Sequence, residues 1–256
     1  MSEQLLHRDA LGDLSDIELV EVIDDGRDTV VRYAFKLNGV PGESHFRVTH
    51  DGMRLGLFNT WRFTVSPVSV LEVTPKNDAR FSANGIRLSS TGPDAAGTWQ
   101  VLSPGVVTLE HRTAYLTSDT VDVRVTEPGT LVPVAVEVRA SDRFVAEVQS
   151  EVDSYLEKCA EQTVLFPTGC PFGYTVSNRV EGTPAWSISE FPVVTIVPGD
   201  EPGEWLVPNA AGTARIEVRV RSLFDGSVST IDEAVDFSLL WSITIQSDDS
   251  VHIDPD

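Results

Sequence analysis

Apolar and polar residues alternate along most of the chain, as in strands that have one buried face. The clearest early example is Val31, Tyr33, Phe35 and Leu37, which alternate with polar or small residues and end at the hairpin sequence Asn38-Gly39. Two further alternating runs follow, carrying His45, Phe46 and Val48, then Trp61, Phe63 and Val65. The pattern therefore predicts an N-terminal unit of antiparallel strands over residues 1–66.

Residues 67–140 carry shorter apolar runs that are separated by turn sequences. Asn84-Gly85, Gly92-Pro93, Ser103-Pro104-Gly105 and Pro128-Gly129 punctuate this region every 8–15 residues or so, with no helical period between them. Such spacing is typical of a small β-sandwich, so we expect residues 67–140 to form one.

One segment has the period of an α-helix. Its apolar residues lie at helical spacing, and Ser141 or Asp142 can cap its first turn. The stripe consists of Phe144, Val145, Val148, Val152, Leu156 and Cys159. Strand patterns resume afterwards over Phe172–Val180, Trp186–Ile188, Val193–Val197, Trp205–Val207, Ala214–Ser222 and Val235–Ile245. One long helix followed by antiparallel strands predicts, for residues 141–256, a helix packed across a curved sheet, as in cystatin-like and nuclear transport factor 2-like folds.

The fold class is therefore α+β and dominated by strands. The two ends of the chain also resemble each other, because residues 30–39 and 216–226 are both strands that run into an Asx-Gly turn, and each is followed by a Trp-containing strand. If this similarity is a true repeat, the N-terminal unit is the strand half of a second such domain, with its helix at residues 3–14 or upstream. The alternative is chance similarity between amphipathic strands.

Cys159 and Cys170 are the only cysteines. They flank a short turn between the helix and the strands that follow, which favours a disulfide over a pair of free thiols. Disulfides persist outside the cytosol, so we expect an extracytoplasmic protein. A reactive thiol would need a nearby histidine and a reducing compartment, and a cytoplasmic protein with two free thiols is the alternative.

The net charge of −20, from 19 basic and 39 acidic residues, excludes nucleic acid as a partner because its phosphates would be repelled. No apolar stretch reaches the ~18–20 residues of a membrane-spanning helix, and residues 1–20 lack the pattern of a signal peptide. We therefore expect contact with a membrane only through an anchor upstream of this chain.

The sequence offers no recognisable catalytic, cofactor-binding or metal-binding residues. The five histidines lack metal-ligand spacing, and the closest pair, His45 and His50, should point to opposite faces of a strand. Nucleotide-binding and hydrolase motifs are absent. The Asp24–Asp28 segment has the oxygen ligands of a weak calcium site, but acidic turns are common for backbone reasons alone. The tryptophans could line a ligand-binding sheet, although such residues more often fill a core.

Several short motifs carry a resemblance to a known group. They are Trp61-Arg62-Phe63, Asn84-Gly85, Ser103-Pro104-Gly105 and Cys170-Pro171-Phe172-Gly173. On these the chain resembles uncharacterised exported or membrane-anchored ectodomains of actinobacteria. In plan it is similar to staphylococcal TcaA-type cell-envelope proteins, which place small β domains and a nuclear transport factor 2-like domain outside one transmembrane helix. The resemblance implies an envelope location, and it identifies no catalytic residue in this chain.

These observations favour a non-enzymatic domain of the cell envelope that acts by binding a protein or a small ligand. The main alternative is a nuclear transport factor 2-like enzyme, or a small-ligand-binding protein, that uses the space between helix and curved sheet. An enzyme of that kind needs an Asp, Glu or His pointing into a deep pocket with a shifted pKa. The inward positions identifiable from the sequence are mostly Phe, Trp, Val and Ile.

Overall fold

The computed structural model of the protein describes residues 2–7, 12–24, 26–55, 57–245 and 251–255. Within these residues strands dominate and one long helix is present, so the predicted α+β class is confirmed. The chain divides into two compact units, each described by itself below. Unit 1 contains residues 1–112 and 117–138, and unit 2 contains residues 113–116 and 139–256.

Unit 1 begins with a four-stranded antiparallel sheet whose strands are neighbours in chain order. Its members are β1 (Leu14–Asp24), β2 (Thr29–Leu37), β3 (Val40–Arg54) and β4 (Phe58–Phe63). The turn between β2 and β3 is Asn38-Gly39, with φ of 49° and 77°. Two positive φ values in a two-residue loop suit asparagine and glycine, so the sequence sets this hairpin locally.

The register places the apolar residues of the four strands on one face. Val31 pairs with Val22 on β1 and with Phe46 on β3, and Val48 pairs with Phe63 on β4. Because side chains alternate between faces, Tyr33, Phe35 and Leu37 of β2 lie on the same face as Val31. The polar residues of β2, among them Arg32 and Lys36, lie on the other.

The described part of the N-terminal segment does not form the helix that a true repeat would place at residues 3–14 or upstream. Ser2 forms a bridge to Trp99, donating from its N–H to the Thr98 carbonyl at 3.0 Å and accepting from the Gln100 N–H at 2.8 Å. Leu5 is buried, and β1 already begins at Leu14. Extended pairing and the anchoring of Leu5 therefore replace the helix at residues 2–7, while residues 8–11 lie outside the described residues.

Two further four-stranded sheets follow in unit 1. The strands are β5 (Val68–Lys76), β6 (Arg80–Ala83), β7 (Ile86–Ser89), β8 (Gly97–Leu102), β9 (Gly105–Glu110), β10 (Leu116–Ser118), β11 (Val121–Val125) and β12 (Leu131–Ala140). Two of these strands, β10 and β12, cross the bounds of that unit by one or two residues. The sheet orders are β10-β12-β5-β8 and β11-β9-β6-β7, and the β5–β12 pair is parallel. Alternate residues of these strands are buried, with Phe81 edge to face on Trp99 at 5.1 Å between ring centroids.

Unit 2 contains the predicted helix, α1 (Asp142–Ala160). Ser141 is its N-cap, and the Ser141 hydroxyl accepts a hydrogen bond from the Phe144 N–H at 3.2 Å. Five residues of the predicted stripe are buried: Phe144, Val148, Val152, Leu156 and Cys159. The spacing of apolar residues thus predicts which face of α1 packs.

A six-stranded antiparallel sheet completes unit 2. Its strands are β13 (Arg179–Val180), β14 (Ala185–Glu190), β15 (Val197–Pro198), β16 (Glu204–Arg221), β17 (Val228–Ile245) and β18 (Val251–Pro255). The main order is β13-β16-β17-β18, and β14 and β15 also pair with β16. The two long strands β16 and β17 form a hairpin with a bulge between Val207 and Ala210.

Two strands expected in unit 2 are largely absent from the structure. Of Phe172–Val180, only Arg179–Val180 joins the sheet, because Phe172 is buried against the rings of Trp186 and Phe237. Of Val193–Val197, only Val197 pairs with the sheet. The Val194 N–H donates instead to the Gln149 side chain of α1 at 2.9 Å. Side-chain anchoring therefore replaces strand pairing in both segments.

Candidate functional site

The most distinctive surface of unit 1 is an apolar groove on the N-terminal sheet. We call it the β1–β4 groove, and its volume is about 470 Å³. The lining residues come from all four strands and are Leu19, Val22, Thr29, Val31, Tyr33, Phe46, Val48, Trp61 and Phe63. The Thr29 and Tyr33 hydroxyls and the Trp61 indole N–H are the polar groups among these nine uncharged side chains, so the groove is suited to an apolar occupant.

Aromatic rings form the floor of the groove across three strands. Tyr33 and Phe46 lie edge to face with ring centroids 6.2 Å apart, and Phe46 and Phe63 do so at 5.9 Å. Trp61 packs edge to face with His50 at 5.6 Å. Such cross-strand pairs stabilise a sheet and hold the rings in fixed positions, so the surface is formed before anything binds.

One end of the same sheet face is covered and the other is open. Phe35 and Leu37 are buried with Val106 of β9 in one cluster. Toward the opposite end the exposed fractions are 57% for Leu19 and 54% for Trp61. Exposed aromatic and aliphatic side chains gathered in one patch mark interaction surfaces more often than isolated ones do.

The β3–β4 hairpin extends this apolar character beyond the groove. Met53, Leu55, Leu57 and Phe58 lie at or beside its tip, and each is exposed by more than 60%. Gly56, between Leu55 and Leu57, lies outside the described residues. The tip of the β16–β17 hairpin in unit 2 also carries exposed apolar residues, Leu223 and Phe224.

The acidic edge strand β1 directs Glu18 and Glu21, which pair with Ala34 and Arg32, to the face opposite the groove, and Asp24, which pairs with Thr29, to the groove side. Its charged residues are Asp16, Glu18, Glu21 and Asp24, all negative. Asp16 contacts Lys36 at 2.7 Å and Glu21 contacts Arg32 at 3.3 Å. The hydrogen bond and the charge of Asp16 raise the pKa of Lys36, which therefore stays protonated. Glu18 is exposed and carries its charge at the edge of the sheet.

A polar cleft of about 670 Å³ lies in unit 2 where β13 and β14 meet β16. Its charged residues are Arg179, Glu181, Glu217 and Arg219. The Arg221 guanidinium donates a hydrogen bond to Glu181 and lowers the pKa of that carboxyl, and Arg219 and Arg179 act in the same direction. The charges of this cleft balance one another at the surface, which is typical of a solvated sheet edge rather than of a ligand site.

Most side chains between α1 and the sheet are apolar. In the described residues, the buried positions of β16 and β17 include Trp205, Ile216, Phe237 and Trp241. Tyr155 of α1 packs on Trp241 at 5.4 Å between ring centroids, and its hydroxyl donates to the Gly169 carbonyl. Burial raises the pKa of Tyr155. Tyr155 is thus a packing residue with a satisfied hydroxyl.

A disulfide joins Cys159 at the end of α1 to Cys170, with 5.8 Å between the two Cα atoms. Gln162 fastens the intervening loop: its amide donates to the Thr168 carbonyl at 3.1 Å and accepts from the Thr168 N–H at 2.8 Å. Gly173 follows, where a Cβ would lie 2.4 Å from the Phe166 ring. The Cys170-Pro171-Phe172-Gly173 motif thus serves packing and cross-linking.

The other candidate residues are not brought together. His45 contacts Glu127 at 2.9 Å, whereas His50 contacts Asn59 at 3.3 Å. In the Asp24–Asp28 turn the Asp24 carboxylate accepts from the Gly26 N–H at 2.9 Å, as in an Asx turn, and Asp25 lies outside the described residues. Across residues 2–7, 12–24, 26–55, 57–245 and 251–255, no group of three or more His, Cys, Asp or Glu could hold a metal ion.

The tryptophan of the groove is exposed, whereas the tryptophans of the cores are not. Trp99, Trp186, Trp205 and Trp241 are buried, in agreement with a core role for tryptophan, whereas Trp61 is the exception. The feature of the sequence that could have indicated the groove is the large number of apolar residues on both faces of β1, an edge strand. Alternation alone does not reveal whether the apolar face of a sheet is covered.

No helix in the described residues is long and apolar enough to cross a membrane. Comparison of the chain with protein-family models, with curated protein sequences and with solved structures found no match. A functional assignment therefore depends on the groove, the disulfide and the charge.

Proposed function

We propose that this chain is a non-enzymatic, extracytoplasmic binding protein of the cell envelope, which holds a partner polypeptide in the β1–β4 groove. The observation that carries the proposal is the uncovered apolar strip formed by Leu19, Val22, Trp61 and Phe63. Water-exposed apolar surface is costly, and binding a partner removes it from water.

The disulfide supports the extracytoplasmic location. Cys159 is 2% exposed and pairs with Cys170 in a loop that Gln162 holds closed. Structural disulfides of this kind form in oxidising compartments and are rare in the cytosol. The resemblance to envelope proteins points to the same location, and the net charge of −20 keeps such a protein soluble.

The chemistry of the described side chains supports binding rather than catalysis. The shifted acidic pKa values belong to Asp78, Glu181 and Asp225, which are held by hydrogen bonds within turns or across the surface of a sheet. Catalytic groups are instead expected to converge on a pocket with perturbed pKa values. The groove contains rigid aromatic anchors, which are enriched in protein interfaces.

A polypeptide suits the groove better than a small ligand does. Pockets for small molecules usually bury 70–90% or so of the ligand surface. Here Val22 remains 56% exposed and Phe63 49% exposed, so the groove is open along its length. A small apolar ligand would bury only part of its surface there and bind weakly, whereas a longer chain could cover the whole strip.

The accessibility of the groove is tested with N-phenyl-1-naphthylamine, an uncharged dye whose emission rises in apolar surroundings. We expect saturable binding to the full chain and at least about tenfold weaker binding to Val22→Asp, a change of about 1.4 kcal/mol. Phe224→Asp, at the exposed β16–β17 tip, is the matched control with the same change in charge, and it should bind as the unaltered chain does. No saturable binding, or equal binding by Val22→Asp, would contradict the proposal.

A further inference from the structure

We propose that the occupant of the β1–β4 groove is an amphipathic α-helix of a partner polypeptide, with its apolar stripe on the groove and basic residues on its remaining surface. This inference rests on the proposed function, because it names what the same groove binds. It follows from the dimensions of the groove, from the way this chain covers its other curved sheet, and from charge.

The dimensions of the sheet fit one helix. Four strands spaced about 4.8 Å apart form a face about 14 Å wide. A helix with its side chains is about 10–12 Å across, so one helix lying along the strands would cover the groove between β1 and β4. The lining residues lie on all four strands, as this placement requires.

Unit 2 shows how the same chain covers an antiparallel sheet. There α1 presents Phe144, Val148, Val152 and Leu156 at intervals of four residues, and each is no more than 1% exposed. The N-terminal sheet has an apolar face of the same kind, but no helix in the described part of unit 1 lies on it. A helix supplied from outside would complete the same two-layer arrangement.

Strand addition at the edge of the sheet is disfavoured. Edge strand β1 has register shifts between Ser15 and Glu18 and between Leu19 and Glu21. Bulges and charged side chains are the devices that block pairing at a sheet edge. Moreover, a strand added beside β1 would leave Trp61 and Phe63, on the far side of the sheet, uncovered.

Charge favours a basic partner over a second copy of this chain. The whole chain has a net charge of −20, and Asp24, which pairs with Thr29 of the groove lining, is an exposed carboxylate on the groove side of β1. Two copies of this acidic chain would repel each other when their grooves meet, whereas a basic helix would be attracted.

The test uses the full chain and synthetic peptides of the length of α1. The first peptide has Phe, Val, Val and Leu at the spacing of α1, with Lys and Ala elsewhere. The second has the same composition, shuffled so that the stripe is lost. The third has the stripe but carries Glu in place of Lys. Binding is followed by the emission of Trp61, because the other four tryptophans are 7% exposed or less.

We expect the basic amphipathic peptide to shift the Trp61 emission to shorter wavelength and to bind at least about tenfold more tightly than either control peptide. Val22→Asp should weaken this binding although it makes the chain more acidic, whereas Phe224→Asp should not. Non-specific attraction of a cationic peptide predicts the reverse for Val22→Asp. The two variants therefore separate docking in the groove from attraction by net charge.

Equal binding of the shuffled peptide, or no binding of the basic amphipathic peptide, would overturn the helix proposal. So would a dimer, measured by light scattering, that Val22→Asp dissociates, since a second copy would then be the occupant. Equal binding of the acidic peptide would overturn the basic character of the partner. If the dye still binds in any of these cases, the groove remains a binding site and only the identity of its occupant is wrong.

Discussion

Phe46 and Phe63 lie edge to face on the neighbouring strands β3 and β4, with ring centroids 5.9 Å apart, and yet Phe63 remains 49% exposed. In a closed core such a pair would be covered on both sides. Here one side of the pair faces the open groove. The pair therefore contributes more to a binding surface than to the stability of unit 1.

This relationship predicts a small stability cost for Phe63→Ala. Losing the ring contact and part of the buried area should lower the free energy of unfolding by about 0.5–1.5 kcal/mol. Phe81→Ala, in the core of the same unit, should cost about 3–5 kcal/mol because Phe81 is 4% exposed. Urea denaturation of both variants checks the difference, and equal costs would mean that the groove is a core.

The packing of α1 gives a second prediction. Leu156 is fully buried and Glu157 is exposed on the next position of the helix. Leu156→Ala should destabilise unit 2 by about 2–5 kcal/mol. Glu157→Ala should change stability by no more than about 0.5 kcal/mol. Thermal unfolding followed by circular dichroism compares the two, and a low cost for Leu156→Ala would show that α1 is not packed on the sheet.

The disulfide predicts that the denatured, unreduced protein contains no free thiols. Cys159 and Cys170 close a short loop, and reduction should destabilise unit 2 by about 3 kcal/mol. Thiol titration in denaturant, on protein from an oxidising compartment, measures the first point, and urea unfolding with and without reductant measures the second. Two titratable thiols would remove the main support for an extracytoplasmic location.

Asp78 predicts a pH-dependent contribution to the stability of unit 1. Burial raises the pKa of Asp78, but hydrogen bonds from the Arg80 side chain and N–H outweigh burial and lower it below the ordinary value of 3.8. Because the pKa of Asp78 is lower in the folded state, the ionised carboxylate stabilises the folded state above about pH 3.8. This contribution to the free energy of unfolding is lost as the pH falls through the folded pKa.

Asp78→Asn should therefore cost about 1–3 kcal/mol at pH 7. Unfolding free energies of both proteins, measured from pH 7 to pH 3, should converge below about pH 4. A constant difference across that range would show that the Asp78 charge does not contribute.

The sequence predicts local features of this fold well where one residue type or one period decides them. The stripe from Phe144 to Cys159, the Ser141 cap and the Asn38-Gly39 turn are all set by neighbouring residues. The expected strand over Phe172–Val180 failed because Phe172 is buried by contacts with Trp186 and Phe237, distant in sequence. Strand pairing depends on such long-range contacts, which alternation does not encode.

The groove was harder to predict than the fold. Trp61 has the same strand context as the four buried tryptophans, and its exposure depends on what lies opposite the sheet rather than on its neighbours in sequence. The helix that a true repeat would place at residues 3–14 or upstream would have offered such a cover. In the structure, Ser2 instead pairs with Trp99 and Leu5 is buried.

The central claim is that the β1–β4 groove is open in the free protein, and acrylamide quenching of tryptophan emission tests it most directly. Trp61 is 54% exposed, and Trp99, Trp186, Trp205 and Trp241 are 7% exposed or less. We predict one readily quenched class of emission in the unaltered chain and its loss in Trp61→Phe. A readily quenched class that persists in Trp61→Phe, or none in the unaltered chain, would show that the groove is covered and contradict the account.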